Sequence, residues 1–198
     1  MTTPQTLILF RFLLAPIIGA LAYFVGESSK MTILVLMYLG LISDILDGII
    51  ARKQNTATEK LRRLDSQTDM VFWLSIGFAT WFLFPELING NHISIKIILA
   101  MEVLVYLISF VKFKKETCTH AFLSKIWGIT LLIAFTSLIG FNHAGIPFLL
   151  AIIMGIISHL DRILITLILP TWTHDIPSAY HAYLYRKGKV FKKNKYFN

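Results

Sequence analysis

Four aspartates lie close together in a chain that is apolar almost throughout. Asp44 and Asp47 are spaced i, i+3, and Asp65 and Asp69 are spaced i, i+4. On an α-helix these spacings place both members of a pair on one face. Converging carboxylates repel one another unless they are protonated or neutralised by cations. The pattern therefore indicates a site that gathers positive charge.

The types of residue around these aspartates limit which cation would suit them. No His or Cys alternates with them as a zinc site would require, so a hard divalent ion with oxygen ligands fits best. Mg²⁺ or Mn²⁺ is the natural choice, and two ions suit four carboxylates. Because Mg²⁺ retains waters and favours substrate phosphates as further ligands, the substrate should carry phosphate. The alternative is plain pairing of the aspartates with Arg52, Arg62 or Arg63 at a helix end.

The elements that must position these residues are membrane helices. Hydrophobic residues make up 56% of the 198 residues and charged residues only 15%, against roughly a quarter in soluble domains. A span needs about 20 mostly apolar residues. We predict an all-α integral membrane protein whose six transmembrane helices cover Leu7–Val25, Met31–Ala51, Leu64–Phe84, Ile93–Val111, Leu123–Phe141 and Gly145–Leu169. The first is expected to be a span and not a cleaved signal peptide, since it contains Arg11 and Pro16.

The distribution of basic residues predicts the orientation of the spans. Lys and Arg concentrate in the even-numbered connections and the tail, whereas the opposite connections carry only Lys30 and Lys96. The positive-inside rule then places both termini, and the aspartates, on the cytoplasmic side. This placement also explains the net charge of +8, so a nucleic-acid partner is not expected. Membrane lipids are expected partners instead.

The aspartates belong to a longer motif. It resembles the signature D-x2-D-G-x2-A-R-x8-G-x3-D-x3-D of the CDP-alcohol phosphotransferases, integral membrane enzymes of phospholipid synthesis. The matching residues are Asp44, Asp47, Gly48, Ala51, Arg52, Asp65 and Asp69. The stretch PQTLILFR, from Pro4 to Arg11, also looks like the P-N-x-L-T-x-x-R opening of bacterial members. One position departs from the signature: Leu61 stands where the second glycine is usual.

The resemblance implies a reaction and a set of roles. CDP-diacylglycerol would donate its phosphatidyl group to the hydroxyl of a polar alcohol, with release of CMP and with two divalent ions in the site. The metal ligands would be Asp44, Asp47, Asp65 and Asp69, and Asp69 would also be the general base. Gly48 and Arg52 would contact the CDP portion. Family members are often dimers, so a homodimer is expected.

The acceptor is less well defined by the residues. A phosphate-bearing acceptor would want basic groups. Lys125 and Arg162 are chosen from a set of candidates that also contains Lys112, Lys114, Lys115 and His120. Arg162 could instead pair with a neighbouring aspartate, such as Asp161, to hold helices together. Glycerol 3-phosphate is the default acceptor, while inositol phosphate, inositol and serine remain open.

The remaining predictions concern domains and competing functions. We expect a six-helix catalytic domain over residues 1–170 and a basic, aromatic cytoplasmic or interfacial tail over residues 171–198, with a short helix after Pro177. The main alternative function is a small transporter or channel with a cation-binding carboxylate cluster. Its carboxylates would usually lie near the midplane and between repeats, and this sequence shows no repeat. A prenyl-diphosphate enzyme is a third candidate, but its motifs usually contain adjacent aspartates.

Overall fold

The structure is a computed structural model that describes residues 2–54, 56 and 58–189. Within these residues every regular element is helical, which confirms the all-α prediction. The α-helices are α1 (Thr3–Phe24), α2 (Lys30–Lys53), α3 (Glu59–Leu83), α4 (Pro85–Gly90), α5 (His92–Phe113), α6 (Phe122–Phe135), α7 (Gly145–Ile168) and α8 (Ala179–Arg186). A 3₁₀ turn over Gly26–Ser29 precedes α2, and a π-helical turn over Thr136–Gly140 extends α6.

Five helical segments of the described part are long and apolar enough to cross a membrane. They are Thr3–Phe24, Gly26–Lys53, His92–Phe113, Phe122–Gly140 and Gly145–Ile168. The predicted third span corresponds to α3, whose 25 residues rise about 37 Å. This helix carries both aspartates of its pair and several further charges, so composition alone does not place it among the apolar helices. The sixth span stays a prediction.

The chain groups into two compact units, and the first contains Met1–Asn91 and Leu132–Phe148. In this unit α1 packs along both α2 and α3, whereas α2 and α3 make few contacts with each other. The two aspartate-bearing helices are therefore joined mainly through α1, which lies against both. The apolar core of the unit consists of Leu14, Ile18, Ala22, Ile33, Met37, Phe72, Ile76, Ala79, Leu83, Phe84 and Ile139.

One glycine allows α2 and α3 to touch. The ring of Phe72 lies against the backbone of Gly40, and a methyl group added to Gly40 would overlap this ring. Gly40 is four residues before Asp44, and Phe72 is three residues after Asp69. Such spacings share a helix face, so the contact lies about one turn from the aspartates.

The second unit contains His92–Leu131 and Leu149–Asn198. The Lys112 ammonium group closes the C-terminal end of α7, since Nζ donates to the carbonyl oxygens of Thr166, Leu167 and Leu169 at 3.1, 2.7 and 2.8 Å. These carbonyls have no partner within the helix, and a cation also suits this end of the helix dipole.

The chain after α7 packs back onto the α5–α6 connection. The Ile176 amide donates to the Thr119 carbonyl and the Phe122 amide donates to the Pro177 carbonyl, each at 2.9 Å. An apolar cluster of Ala121, Ile165, Leu169, Ile176 and Ala182 supports this contact. The short helix expected after Pro177 is present as α8, while residues 190–198 of the predicted tail lie outside the described residues. The division at residue 170 stays a prediction.

Candidate metal and active site

The four aspartates converge on a single guanidinium group. Arg11, on α1, lies between Asp44 and Asp47 of α2 and Asp65 and Asp69 of α3. Its Nη1 is 2.8 Å from Asp44 Oδ1 and 3.1 Å from Asp47 Oδ2, and its Nε is 2.9 Å from Asp69 Oδ1. Its Nη2 forms an ion pair with Asp65 Oδ1. We call these four aspartates the carboxylate cluster.

Burial divides the cluster into an inner and an outer part. The Arg11 side chain is fully buried, and those of Asp47 and Asp65 are only 4% and 7% exposed. Asp44 and Asp69 keep 33% and 32% of their side-chain surface exposed. A reactant that approaches the cluster can therefore reach Asp44 and Asp69, while Asp47 and Asp65 lie at the buried end of the cluster.

Arg11 is a partner of the aspartates that was not identified from the sequence. Divalent ions were expected as the counter-charges, with Arg52, Arg62 and Arg63 as the alternative. The cation that contacts all four aspartates in the structure comes from α1. A signal was present, because Arg11 is the only charged side chain in α1. An arginine within an apolar span almost always faces the protein interior or a water-filled cavity and pairs with an acidic group or with backbone carbonyls. On the far side of α3, Arg63 lies 3.9 Å from Glu59.

The donor set of the cluster fits a divalent cation. Asp44, Asp47 and Asp65 each offer one oxygen such that the three atoms lie within 4.8 Å of one another. All are hard carboxylate oxygens, which Mg²⁺ and Mn²⁺ prefer. Arg11 supplies one positive charge to four carboxylates and cannot balance them alone. Both the chemistry and the charge of the cluster therefore suit metal ions.

Gly48 and Arg52 lie about one turn apart near the C-terminal end of α2. This end is the one predicted to face the cytoplasm. A methyl group added to Gly48 would lie 3.4 Å from Arg52 Nη1, which is an ordinary contact. The protein itself therefore does not require glycine at position 48. The Arg52 guanidinium lies over this backbone and follows Asp47 by five residues. Their expected contacts with a CDP group stay predictions.

Leu61, at the position of the usual second glycine, is a packing residue. Its side chain is 7% exposed and forms a small apolar cluster with Ile8 of α1 and Ala51 of α2. Its amide donates to Thr58 Oγ1 at 3.3 Å, which caps the start of α3. The leucine therefore joins three helices beside the carboxylate cluster.

Lys125 and Arg162 both belong to the second unit. Arg162 forms a forked ion pair with Glu102 of α5, with Nη1 2.7 Å from Oε2 and Nη2 3.1 Å from Oε1. His159 Nε2 lies 2.7 Å from the same Oε2. The suggested partner Asp161 is wrong, since its Oδ1 instead accepts from the Ala179 amide at 2.9 Å. Lys125 is exposed on the first turn of α6.

Comparison with known proteins agrees with the convergence of these residues. Residues 1–170 match the family described as CDP-alcohol phosphatidyltransferase. The chain belongs to this family. Its members are transferases of phospholipid biosynthesis in membranes, and the apolar helices of this chain agree with an integral membrane protein.

One curated CDP-alcohol phosphatidyltransferase illustrates how far the similarity extends. The CDP-diacylglycerol--glycerol-3-phosphate 3-phosphatidyltransferase of Aquifex aeolicus (strain VF5) is 36% identical over 89 residues. The aligned stretch covers 45% of this chain and 48% of that relative, so it spans about half the length of each protein. No solved structure matches the chain.

Proposed function

We propose that the protein transfers the phosphatidyl group of CDP-diacylglycerol to the hydroxyl of glycerol 3-phosphate and releases CMP. The observation that carries this proposal is the convergence of Asp44, Asp47, Asp65 and Asp69, all residues of the family signature, at one site of the first unit. The name of the Aquifex relative supports glycerol 3-phosphate as the acceptor.

Three carboxylates of the cluster would hold the ions, and the fourth would accept a proton. Asp44, Asp47 and Asp65 would hold two Mg²⁺ or Mn²⁺ ions, with Asp69 at the edge of the site. When bound, the ions would neutralise charge on the pyrophosphate oxygens, which is the main requirement of phosphoryl transfer. Asp69 keeps about a third of its side chain exposed, so an incoming hydroxyl can approach it within hydrogen-bond distance.

The proposed reaction is a single displacement at phosphorus. The acceptor oxygen forms a bond to the phosphorus that bears the diacylglycerol, and its proton passes to Asp69. The bond from this phosphorus to the bridging oxygen breaks, and CMP leaves with the electron pair. Gly48 and Arg52 would bind the CDP portion, because the planar guanidinium of Arg52 suits phosphate oxygens.

Lys125 and Arg162 are proposed to bind the phosphate of the acceptor. A guanidinium offers five N–H donors, and the pair with Glu102 uses two of them. Inositol phosphate would use the same basic groups, whereas inositol and serine would not need them.

The distribution of basic residues and the family support a proposed membrane and orientation for the active site. The active site would face the cytoplasm from a bacterial inner membrane that α3 also spans, so that a soluble acceptor and a lipid-anchored donor can meet. The protein is proposed to act as a homodimer.

The test is CMP release by the detergent-purified full chain, given CDP-diacylglycerol and either Mg²⁺ or Mn²⁺. Glycerol 3-phosphate, inositol phosphate, inositol, serine and choline are supplied in separate reactions. Release is expected with glycerol 3-phosphate, and chelation of the metal should abolish it. Asp69→Asn should reduce turnover at least about a hundredfold, since positioned acid–base catalysis contributes that much. Glu59→Gln is the matched control, because this carboxylate lies on the same helix and pairs with Arg63.

The outcomes separate the proposed function from its competitors. Release with a different acceptor would refute glycerol 3-phosphate and retain the reaction. A folded protein that binds Mn²⁺ but releases no CMP with any acceptor would contradict the transferase function. Metal-dependent ion flux in vesicles without CMP release would favour the transporter alternative.

A further inference from the structure

The carboxylate cluster already contains a cation that belongs to the chain. The Arg11 guanidinium is fully buried, and its three nitrogens contact all four aspartates. Nη1 contacts Asp44 and Asp47, Nη2 contacts Asp65, and Nε contacts Asp69. A guanidinium is planar and presents its donors in fixed directions. It therefore offsets the repulsion between the carboxylates and allows them to stay close together.

The same guanidinium contacts each of the three aspartates that could hold a metal ion. Asp44, Asp47 and Asp65 each offer one oxygen such that the three atoms lie within 4.8 Å of one another. Nη1 is 2.8 and 3.1 Å from its two carboxylates. Mg²⁺ binds oxygen at about 2.0–2.1 Å, which is closer than the arginine nitrogens lie. A metal ion and the guanidinium would therefore place their positive charges against the same three carboxylates.

We propose that Arg11 is a resident counter-cation that competes with divalent ions for Asp44, Asp47 and Asp65, so that metal binding displaces its guanidinium. This inference rests on the proposed metal-binding role of the cluster. Positive charges a few ångströms apart in a buried site repel each other strongly. Arg11 is thus a positioning residue that stabilises the metal-free protein and weakens metal binding.

The test measures the dissociation constant for Mn²⁺ directly, from the electron paramagnetic resonance signal of free Mn²⁺. The full-length protein is used in detergent, so no transfer reaction is required. Arg11→Met keeps the length of the side chain and removes its charge, and it should bind Mn²⁺ at least tenfold more tightly than wild type. Arg63→Met removes the same charge from the outer face of α3 and should leave the constant unchanged. An equal or weaker affinity in Arg11→Met would overturn the proposal.

A second variant keeps the proposal testable if Arg11→Met does not fold without metal. Arg11→Met combined with Asp69→Asn removes one positive and one negative charge from the cluster. It should bind Mn²⁺ at least tenfold more tightly than Asp69→Asn alone, and equal affinity would overturn the proposal.

Asp47→Asn distinguishes failure of the inference from failure of the proposed function. If wild type binds Mn²⁺, Asp47→Asn does not, and loss of Arg11 brings no gain in affinity, only the role of Arg11 is wrong. If wild type and all variants bind no Mn²⁺, the metal site and the proposed function fail together.

Discussion

Gly40 determines how closely α2 and α3 approach, and Gly40→Ala is predicted to destabilise the first unit. The added methyl group would overlap the ring of Phe72. This ring is 1% exposed and packs edge-on against Trp73, with 5.7 Å between ring centroids. It therefore cannot move without displacing core neighbours. Overpacking of this kind costs about 1–3 kcal/mol of unfolding free energy, and it more than offsets the gain in helix propensity of about 0.5–1 kcal/mol.

A size-switch variant tests the cause of this loss. Phe72→Leu removes ring atoms and should by itself destabilise the unit by about 1–2 kcal/mol through the space it leaves. In the double variant Gly40→Ala/Phe72→Leu, the added methyl group fills part of that space. The loss of unfolding free energy in the double variant should therefore be at least about 1 kcal/mol smaller than the sum of the losses in the two single variants.

Unfolding free energies in detergent, followed by tryptophan fluorescence, measure these effects. Gly19→Ala on α1 is the matched control, since an added methyl group there meets no atom within 4 Å. It should leave stability unchanged or raise it by about 0.5–1 kcal/mol. The reasoning is refuted if Gly40→Ala is as stable as wild type, or if the double variant is simply additive.

Two further substitutions test contacts elsewhere in the molecule. Leu61→Gly should lower the unfolding free energy by about 2–5 kcal/mol, because it removes a side chain buried between three helices. Leu61→Ala leaves a similar cavity without the cost of glycine in a helix, so its loss of unfolding free energy should be about 1 kcal/mol smaller. A stable Leu61→Gly protein with faster CMP release would contradict the packing role. Glu102→Gln leaves Arg162 and His159 without the carboxylate they share, and it should cost about 2–4 kcal/mol by thermal or denaturant unfolding. The same change at the exposed Glu86 should leave the unfolding free energy unchanged. Equal losses of unfolding free energy at both positions would contradict this prediction.

The spacing of residues predicted which side chains share a helix face but not which helices pack against one another. The spacings of the two aspartate pairs correctly placed each pair on one face, and the apolar runs correctly indicated an all-helical membrane protein. Spacing carries no information on which neighbour packs against that face. The position of α1 along both α2 and α3, and of Arg11 within the cluster, could therefore not be read from the motif.

The partner of Arg162 shows the same limit in another way. Asp161 is adjacent in sequence, but consecutive residues on a helix point about 100° apart, so the two side chains of the pair diverge. Glu102 is 60 residues away in sequence and meets Arg162 only through the packing of α5 and α7. A long-range contact of this kind depends on the tertiary arrangement, which local patterns do not determine.

The packing of the chain end onto the α5–α6 connection has a consequence for biogenesis. Thr119 and Phe122 receive their hydrogen-bond partners from Ile176 and Pro177, which are synthesised only after the whole of α7. Chains generally fold from the N-terminus during translation, so the helices can form and insert while this connection still lacks its partners. Its final conformation has to wait until residues 176 and 177 have been synthesised, and a chain that stops before residue 176 would never reach it.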